Sequence, residues 1–178
     1  MAATLIITGS PSSTSRTARL GVAVGERLSS RGTDSTLLDV RTLPAEDLLN
    51  ARFDAPAIVR ALEQVASARG VIVATPVYKA AYSGLLKTFL DLLPQFGLRD
   101  KVVLPLATGG TIAHVLSIDY ALRPVLSSLD PLHVVSGLFI LDKQLTLQED
   151  GRLELEAEAS KKLDTVLDGF LGCLKRAA

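Results

Sequence analysis

Residues 70 to 93 read GVIVATPVYKAAYSGLLKTFLDLL, and this stretch decides the fold class. Its first four residues, 70–73, form a short apolar, β-branched run that is typical of a buried strand. Residues 85–93 have the apolar spacing of a helix. We therefore predict that residues 74–84 form a loop at the carboxyl end of a strand, the edge at which open α/β sheets bind ligands.

The same alternation of strand and helix continues along the chain. Strands are predicted at 4–8, 35–39, 70–73, 101–106 and 133–141. Helices are predicted at 17–30, 56–68, 83–93, 118–129 and 155–174. Such alternation indicates a parallel sheet that is covered on both faces. We predict an α/β, flavodoxin-like three-layer sandwich with a five-stranded parallel sheet of order 2-1-3-4-5, formed by residues 1–178 as a single domain.

Two segments fit this pattern less well. Pro105 lies inside the fourth predicted strand, although proline is unusual within a sheet because it has no N–H group to donate. The strand-forming residues on both sides of it still favour a strand. Residues 144–151 are polar, and either a hairpin or a disordered loop fits them.

The net charge, the lengths of the apolar runs and the number of cysteines exclude several classes of protein. The 178 residues include 19 Lys and Arg against 19 Asp and Glu, so the formal net charge is zero. A neutral chain lacks the basic footprint of nucleic-acid binding, and it steers docking less than an electron carrier does. No run approaches the roughly 18 apolar residues of a membrane span, and residues 1–7 do not resemble a signal peptide. With Cys173 as the single cysteine, we predict a cytoplasmic protein without a nucleic-acid or membrane partner.

The first candidate site is the loop at residues 8–17, TGSPSSTSRT, which follows the first strand and leads into a helix. Its hydroxyls and Arg16 would meet the backbone N–H groups and helix dipole that favour an anion. The sequence therefore favours phosphate binding here, although it matches neither a Walker P-loop nor a G-x-G-x-x-G motif. The alternative is an ordinary serine-rich capping loop.

Two further loops follow the third and fourth predicted strands. Residues 76–84 offer backbone groups that can read the edge of a heterocycle, and Tyr78 and Tyr82 can supply aromatic surface. Residues 107–111 include two glycines that allow a ligand to approach the backbone closely and can form an anion-binding concavity. Each loop alone could be an ordinary turn. The predicted strand order, however, brings all three loops to one edge, and that layout suits FMN.

Four segments resemble the NAD(P)H-dependent FMN reductases of alkanesulfonate assimilation. They are TPVYKAAYSG at 75–84, KVVLPLATGGT at 101–111, DYALRPVL at 119–126 and PAEDLLNARFD at 44–54. The resemblance spans residues 5–141 and implies a flavodoxin-like fold. It also implies that FMN and NADPH (or NADH) react, and that the reduced FMN produced, FMNH2, serves a flavin-dependent sulfonate monooxygenase.

The resemblance also implies a set of binding residues. The FMN phosphate would lie against Ser10, Ser15, Arg16 and Thr17. The isoalloxazine ring would lie against Pro76, Val77, Tyr78, Lys79, Thr108, Gly109, Gly110 and Thr111. Related flavin reductases often carry arginine where this chain has Ser12, so Arg16 is expected to bind the phosphate charge alone and the flavin to be held weakly.

Two residues are predicted to act on the reaction itself. Lys79, with backbone donors at Gly109 and Gly110, would stabilise the negative charge of reduced FMN. Pro124 interrupts a helical pattern, and an extra residue there can be absorbed as a π-bulge. Family members resemble this chain in carrying a tyrosine, here Tyr120, at such a bulge near a subunit interface and the flavin, where it would control flavin retention and transfer. The alternative is a proline-kinked helix with a core tyrosine.

The remaining predictions concern the oligomeric state, metal binding and the binding of NADPH. Surplus apolar residues at 85–93 predict a homodimer or homotetramer, unless that helix is deeply buried. His114 and His133 show no metal-ligand spacing with Cys173, so no metal site is predicted. Arg52 is a candidate for binding the NADPH phosphate.

The favoured function is hydride transfer from NADPH or NADH to N5 of FMN. Two alternatives stay open. One is a quinone, azo or metal-ion reductase that keeps FMN as a prosthetic group. The other is a flavodoxin-like electron carrier without pyridine-nucleotide activity.

Overall fold

The strands and helices come from a computed structural model that describes residues 4–12 and 14–177. The strands are β1 (Thr4–Thr8), β2 (Ser35–Asp39), β3 (Gly70–Tyr78), β4 (Ala81–Tyr82), β5 (Val102–Gly109), β6 (His133–Val134), β7 (Leu138–Leu141), β8 (Leu145–Leu147) and β9 (Leu153–Leu155). The α-helices are α1 (Arg16–Ser30), α2 (Ala45–Leu49), α3 (Pro56–Ser67), α4 (Gly84–Leu90), α5 (Arg123–Ser128) and α6 (Ala157–Arg176). Short 3-10 turns cover Val40–Thr42, Ile112–His114 and Asp142–Gln144, and Ile118–Leu122 is a π-helix.

The parallel sheet has the predicted order. β2 pairs with β1, β1 with β3 and β3 with β5, all in parallel, and the far side of β5 carries β6 and β7. Within the described residues the sheet has seven strands rather than five, because the last predicted strand is divided and β4 is added to β3. The predicted α/β architecture is confirmed.

Apolar cores lie on both faces of this sheet. Leu5 and Ile7 of β1 pack on the side of α3, α4 and α5, whereas Ile6 packs on the side of α1 and α6. Successive side chains of a strand point to opposite faces, so one buried strand contributes to both cores. The three layers that result leave the carboxyl ends of the strands as the open edge.

The division of the last strand is a consequence of Pro105. β6 pairs with Val102 and Val103, and β7 begins its pairing only at Leu106. Val103 accepts a hydrogen bond from Val135 N (2.9 Å), and Pro105, two residues on, has the same orientation but no N–H group. Gly137 lies so close that a Cβ there would come within 2.8 Å of the Pro105 carbonyl oxygen. The prediction of one continuous strand at 133–141 was wrong for this reason.

A hairpin replaces most of the loop predicted at 74–84. β3 continues to Tyr78, and β4 returns antiparallel to it, with Val77 opposite Tyr82. Lys79 and Ala80 form the turn with φ values of 50° and 64°. Hairpin turns with positive φ at both central residues usually contain Asn-Gly or Asp-Gly. Lys-Ala gives no such signal, so the sequence analysis predicted a loop where β3 continues and β4 pairs with it, and that prediction was wrong.

The segment after the Gly-Gly loop contains the predicted π-bulge. The π-helix Ile118–Leu122 leads directly into α5, and Pro124 is the second residue of α5. Tyr120 is 79% exposed and is not a core residue. The structure therefore agrees with the bulge and not with the kinked-helix alternative.

The remaining predicted segments are as follows. The polar stretch at 144–151 belongs to a hairpin, in which β8 pairs antiparallel with β9. Residues 84–90 form the helix predicted at 83–93, and Ser83 caps it. In the part of the chain that the structure describes, no helix has both the length and the apolar character needed to cross a bilayer.

Candidate active site

A cleft of about 290 Å³ opens at the carboxyl edge of the sheet. The loop after β1, the end of β3, the end of β5 and the residue after β7 all contribute to its walls. The residues that line it are Ser10, Ser12, Thr14, Ser15, Arg16, Thr17, Pro76, Val77, Tyr78, Thr108, Gly109 and Asp142. The three loops that the sequence predicted at one edge therefore do share one cleft.

The loop after β1 presents donors at the beginning of α1. Ser15 is the N-cap of that helix, and its hydroxyl accepts hydrogen bonds from Thr17 N (3.1 Å) and Ala18 N (3.3 Å). The hydroxyl proton of Ser15 can still be donated to a ligand. Arg16 Nε donates to the carbonyl of Leu145 (3.0 Å), which uses one of the five N–H groups of the guanidinium. Hydroxyls, a guanidinium and a helix N-terminus are together suited to a phosphate monoester.

Buried hydroxyls fix the loops relative to one another. The hydroxyls of Thr17 and Thr108 are 2.7 Å apart and join the first turn of α1 to the end of β5. Ser83 donates its hydroxyl proton to the carbonyl of Gly9, and the hydroxyl oxygen of Ser83 accepts a hydrogen bond from Leu86 N (3.0 Å). Ser83 N donates to Thr75 Oγ1 (3.0 Å) in β3. Protein contacts thus set the relative positions of the three loops.

Close backbone packing supports the same arrangement. A Cβ on Gly9 would lie 2.5 Å from Leu86 Cβ, so only glycine allows the loop after β1 to rest on α4. Ser83 and Thr75 were missed by the sequence analysis, which brought the loops to one edge but named no contacts between them. The Ser-Gly pair that precedes the apolar run of α4 is the signal for Ser83 as a cap, but nothing local indicates its bond to Gly9.

Four predicted site residues lie outside the lining of the cleft. Lys79 is exposed at the tip of the hairpin, and Gly110 and Thr111 are exposed beyond β5. Tyr120 lies on the surface of the π-helix. Their contacts with a flavin stay predictions, as do those of the residues that do line the cleft.

The second tyrosine of the hairpin, Tyr82, is half-buried against the core that contains α4. Burial raises the pKa of the Tyr82 phenol above its ordinary value; the charge of Lys87 lowers this pKa by a smaller amount, and the charge of Asp91 raises it slightly further. Tyr82 therefore stays protonated at neutral pH, and it is not among the described residues that line the cleft, where the sequence analysis expected it to supply aromatic surface.

Three lining residues were not named individually as ligand-binding residues, although Ser12 and Thr14 belong to the loop predicted to bind phosphate. The hydroxyls of Ser12 and Thr14 are 3.3 Å apart, and Ser12 lines the cleft. The sequence resemblance implied that related flavin reductases often carry arginine at this position. Asp142 follows β7, the last strand of the sheet. The sequence analysis considered loops after the first, third and fourth strands only; an acidic residue directly after the fifth was the available signal.

The candidate for the NADPH phosphate is already paired. Arg52 lies 2.8 Å from Glu46 and 3.5 Å from Asp47, measured between guanidinium nitrogen and carboxylate oxygen. These two carboxylates neutralise it, which weighs against Arg52 as a phosphate ligand. Across residues 4–12 and 14–177, no cluster of three or more His, Cys, Asp or Glu side chains is placed to hold a metal ion.

Comparison with known proteins decides the family. Residues 3–146 match the sequence profile of the NADPH-dependent FMN reductases. The chain belongs to that family. The reductase is 46% identical over 172 residues to the FMN reductase (NADPH) of Escherichia coli (strain K12), which covers 97% of this chain and 90% of that protein.

Solved structures agree with this assignment. An NADH:FMN oxidoreductase (EMOB) in its apo form superposes on the reductase with a TM-score of 0.85 at 40% identity, over 96% of this chain and 88% of that one. A flavodoxin of Streptococcus pneumoniae TIGR4 gives a TM-score of 0.62 at 18% identity, over 95% and 97% of the two chains, which shows the fold alone. The predicted flavodoxin-like fold is confirmed.

Membership makes the chain an NAD(P)H:FMN oxidoreductase, as the sequence predicted, with FMN and NADPH as its reactants. The alternative of an electron carrier without pyridine-nucleotide activity is not favoured. The donors that line the cleft fit FMN, because hydroxyls and Arg16 suit its phosphate and the ends of β3 and β5 offer backbone groups to its ring.

Proposed function

We propose that this reductase handles FMN as a substrate that enters and leaves, and that it supplies reduced FMN to a separate flavin-dependent monooxygenase. The observation that carries the proposal is the charge of the cleft. Among the described residues that line it, Arg16 is the only cation, and Asp142 contributes a carboxylate. One guanidinium gives few of the charge-assisted bonds that would retain a dianionic phosphate.

The size of the cleft supports the same proposal. Its volume of about 290 Å³ is at the lower end of small-molecule sites, so a molecule as long as FMN would remain partly outside. An exposed ring face allows NADPH to bind over the flavin, leave, and give way to the next acceptor.

The protein residues would bind and orient the reactants. Ser10, Ser15, Arg16 and Thr17 would hold the phosphate. Pro76, Val77, Tyr78, Thr108 and Gly109 would hold the ring, with Lys79, Gly110 and Thr111 at its outer side. When bound, FMN supplies the hydride acceptor and NADPH the hydride, so no side-chain general base is required.

The experiment is anaerobic oxidation of NADPH by the purified reductase, with and without excess free FMN. We expect oxidation to continue until all added FMN is reduced. Oxidation limited to one equivalent of protein-bound flavin, and resumed only by an added quinone, would instead support a prosthetic-FMN reductase.

We further propose that the monooxygenase served by this reductase releases sulfite from alkanesulfonates. The support is the resemblance of residues 44–54, 75–84, 101–111 and 119–126 to the reductases of that pathway. In a coupled assay with such a monooxygenase, oxygen and an alkanesulfonate, sulfite release should depend on both NADPH and FMN. We place the reaction in the cytoplasm, for which the single cysteine gives support.

We propose that the reductase is a homo-oligomer, but through a different surface from the one first predicted. The apolar residues of α4 and the segment after it, among them Phe89 and Leu92, are buried within the subunit, so the alternative of a deeply buried helix was right for 85–93. Exposed apolar side chains occur at several places on the surface, and one group of them is close together in sequence: Ile112 (63% exposed), Leu116 (56%) and Tyr120 (79%). The π-helix that carries Tyr120 contacts β4, in the hairpin that also carries Tyr78. An apolar surface of this kind is typical of a subunit contact.

Light scattering coupled to size exclusion tests the assembly. The wild type should elute as a dimer or tetramer, and Tyr120→Asp should shift it toward the monomer because a buried carboxylate in an apolar contact is unfavourable. Leu147→Asp, at an exposed apolar position on β8, is the matched control. A monomeric wild type, or equal dissociation by both variants, would contradict the proposed surface.

A further inference from the structure

Asp142 is the one anion among the described residues that line the cleft. It begins the 3-10 turn that directly follows β7. A Cβ built on Gly110 would lie 3.8 Å from Asp142 Oδ2, so the carboxylate faces the Gly109–Gly110 backbone. This is the end of the cleft at which the flavin ring is proposed to bind.

The charge of Asp142 is not neutralised by a neighbouring side chain. None of the ion pairs formed by the described residues includes it. Arg16, the cation of the cleft, directs its Nε to the carbonyl of Leu145. An unpaired carboxylate in a partly buried cleft acts on a bound ligand with less screening than it would in bulk water.

We propose that Asp142 weakens the binding of reduced FMN relative to oxidised FMN. The oxidised ring is neutral, whereas the reduced ring carries negative charge near N1 and O2. A carboxylate at the ring end of the cleft therefore raises the free energy of the reduced complex more than that of the oxidised complex. Its effect is to favour release of the product, and this inference rests on the proposed placement of FMN in the cleft.

Asp142→Asn tests the inference, because it removes the charge and keeps the shape. Binding of oxidised FMN is measured by quenching of flavin fluorescence, and binding of dithionite-reduced FMN by anaerobic calorimetry. We expect reduced FMN to bind about tenfold more tightly to Asp142→Asn than to the wild type, equal to about 1.4 kcal/mol. Oxidised FMN should change by less than about threefold, roughly 0.7 kcal/mol.

The midpoint potential of bound flavin gives an independent reading. A tenfold change in the ratio of reduced to oxidised affinity raises the potential of a two-electron couple by about 30 mV. Asp142→Glu keeps the charge and should behave like the wild type. Asp34→Asn, an exposed carboxylate in the turn before β2 at the opposite edge of the sheet, removes the same charge and should change neither affinity nor potential.

The outcomes separate this inference from the proposed function. A selective gain in reduced-FMN affinity, reduced by high salt, supports it. Weaker binding by Asp142→Asn, or an equal effect of Asp34→Asn, overturns it while the FMN site stands. If the wild type and all three variants fail to bind FMN in either redox state, the proposed use of the cleft is wrong and the inference fails with it.

Discussion

The hydroxyl of Ser83 joins two parts of the site, the beginning of α4 and the loop after β1. It caps α4 by accepting from Leu86 N, and it donates to the carbonyl of Gly9 in the loop after β1. The residue is only 1% exposed, so neither partner can exchange this contact for water. Leaving a buried polar group without a hydrogen-bond partner destabilises a protein by more than a typical hydrogen bond stabilises it.

Ser83→Ala should therefore destabilise the reductase by about 2 kcal/mol, of which about 1 comes from the lost helix cap and the rest from the unpaired carbonyl of Gly9. Denaturation in urea measures this as a lower midpoint. Ser67→Ala, at an exposed serine whose hydroxyl donates to Gln64 O, is the matched control and should have little effect. Equal midpoints for the two variants would rule out the proposed role of Ser83.

Local sequence predicts such residues only when their partners are near in sequence. Ser15 as the N-cap of α1 could be predicted from a hydroxyl residue directly before a helical pattern. The hydrogen bond between Thr17 and Thr108 could not, because the two residues are separated by 91 positions and meet only after the sheet forms. Asp142 could be placed at the ligand edge, but its lack of a cationic partner depends on side-chain geometry.

At the scale of elements, the hairpin of β3 and β4 has a strained turn. Lys79 and Ala80 both have positive φ, a conformation that costs a non-glycine residue about 1 kcal/mol or more. The strand pairing of Val77 with Tyr82 maintains it. The turn directly follows Tyr78, which lines the cleft.

Ala80→Gly should relieve that strain and raise the free energy of unfolding by up to about 1 kcal/mol, after allowance for the greater freedom of glycine in the unfolded chain. The same change at Ala66, which lies in α3, should have the opposite sign because glycine is a poor helix former. Thermal unfolding of the two variants provides the measurement. A decrease for both would mean that the turn at 79–80 is not strained.

The sequence predicted well those elements whose bounds are set by the residues of the element itself rather than by contacts with other elements. β1 and β2 have the predicted bounds, because short apolar runs between polar turns leave little choice. The division between β6 and β7 and the turn between β3 and β4 were missed. In the first case the cause is Pro105 on a neighbouring strand, and in the second it is a turn formed by residues without turn preference.

At the scale of the whole molecule, a cluster of ion pairs connects α6, the last helix, to the C-terminal end of α1, the first helix. Asp164 of α6 lies 2.8 Å from Arg27 of α1 and 2.7 Å from Arg31, the residue directly after α1, and Asp168 lies 3.0 Å from Arg31. Partial burial alone would raise the pKa of Asp164. The hydrogen bonds from Arg27 and Arg31 outweigh that effect and lower the pKa of Asp164 below its ordinary value.

The lowered pKa gives the stability of the molecule a pH dependence. Because the folded-state pKa of Asp164 is below that of the unfolded chain, the ionised pair stabilises the fold above about pH 4, and the contribution is lost as pH falls through the folded-state pKa. Asp164→Asn should thus lower the urea midpoint at pH 7 and have less effect near pH 3. If the urea midpoints of Asp164→Asn and the wild type differ by the same amount at low pH, the charge of Asp164 does not cause the loss of stability. Asp34→Asn, which changes the net charge equally, is the control.

Pro105 and Gly137 also affect how the molecule behaves in a crowded solution. The edge of the sheet beyond β5 is formed by two short strands, β6 with two residues and β7 with four. No residue of this edge is paired with Leu104 or Pro105 of β5. An edge strand without interruption presents a long row of free N–H and C=O groups to which another chain can add by strand pairing. The interruption shortens that row, so the same proline that divides the strand also protects the reductase against edge-to-edge aggregation.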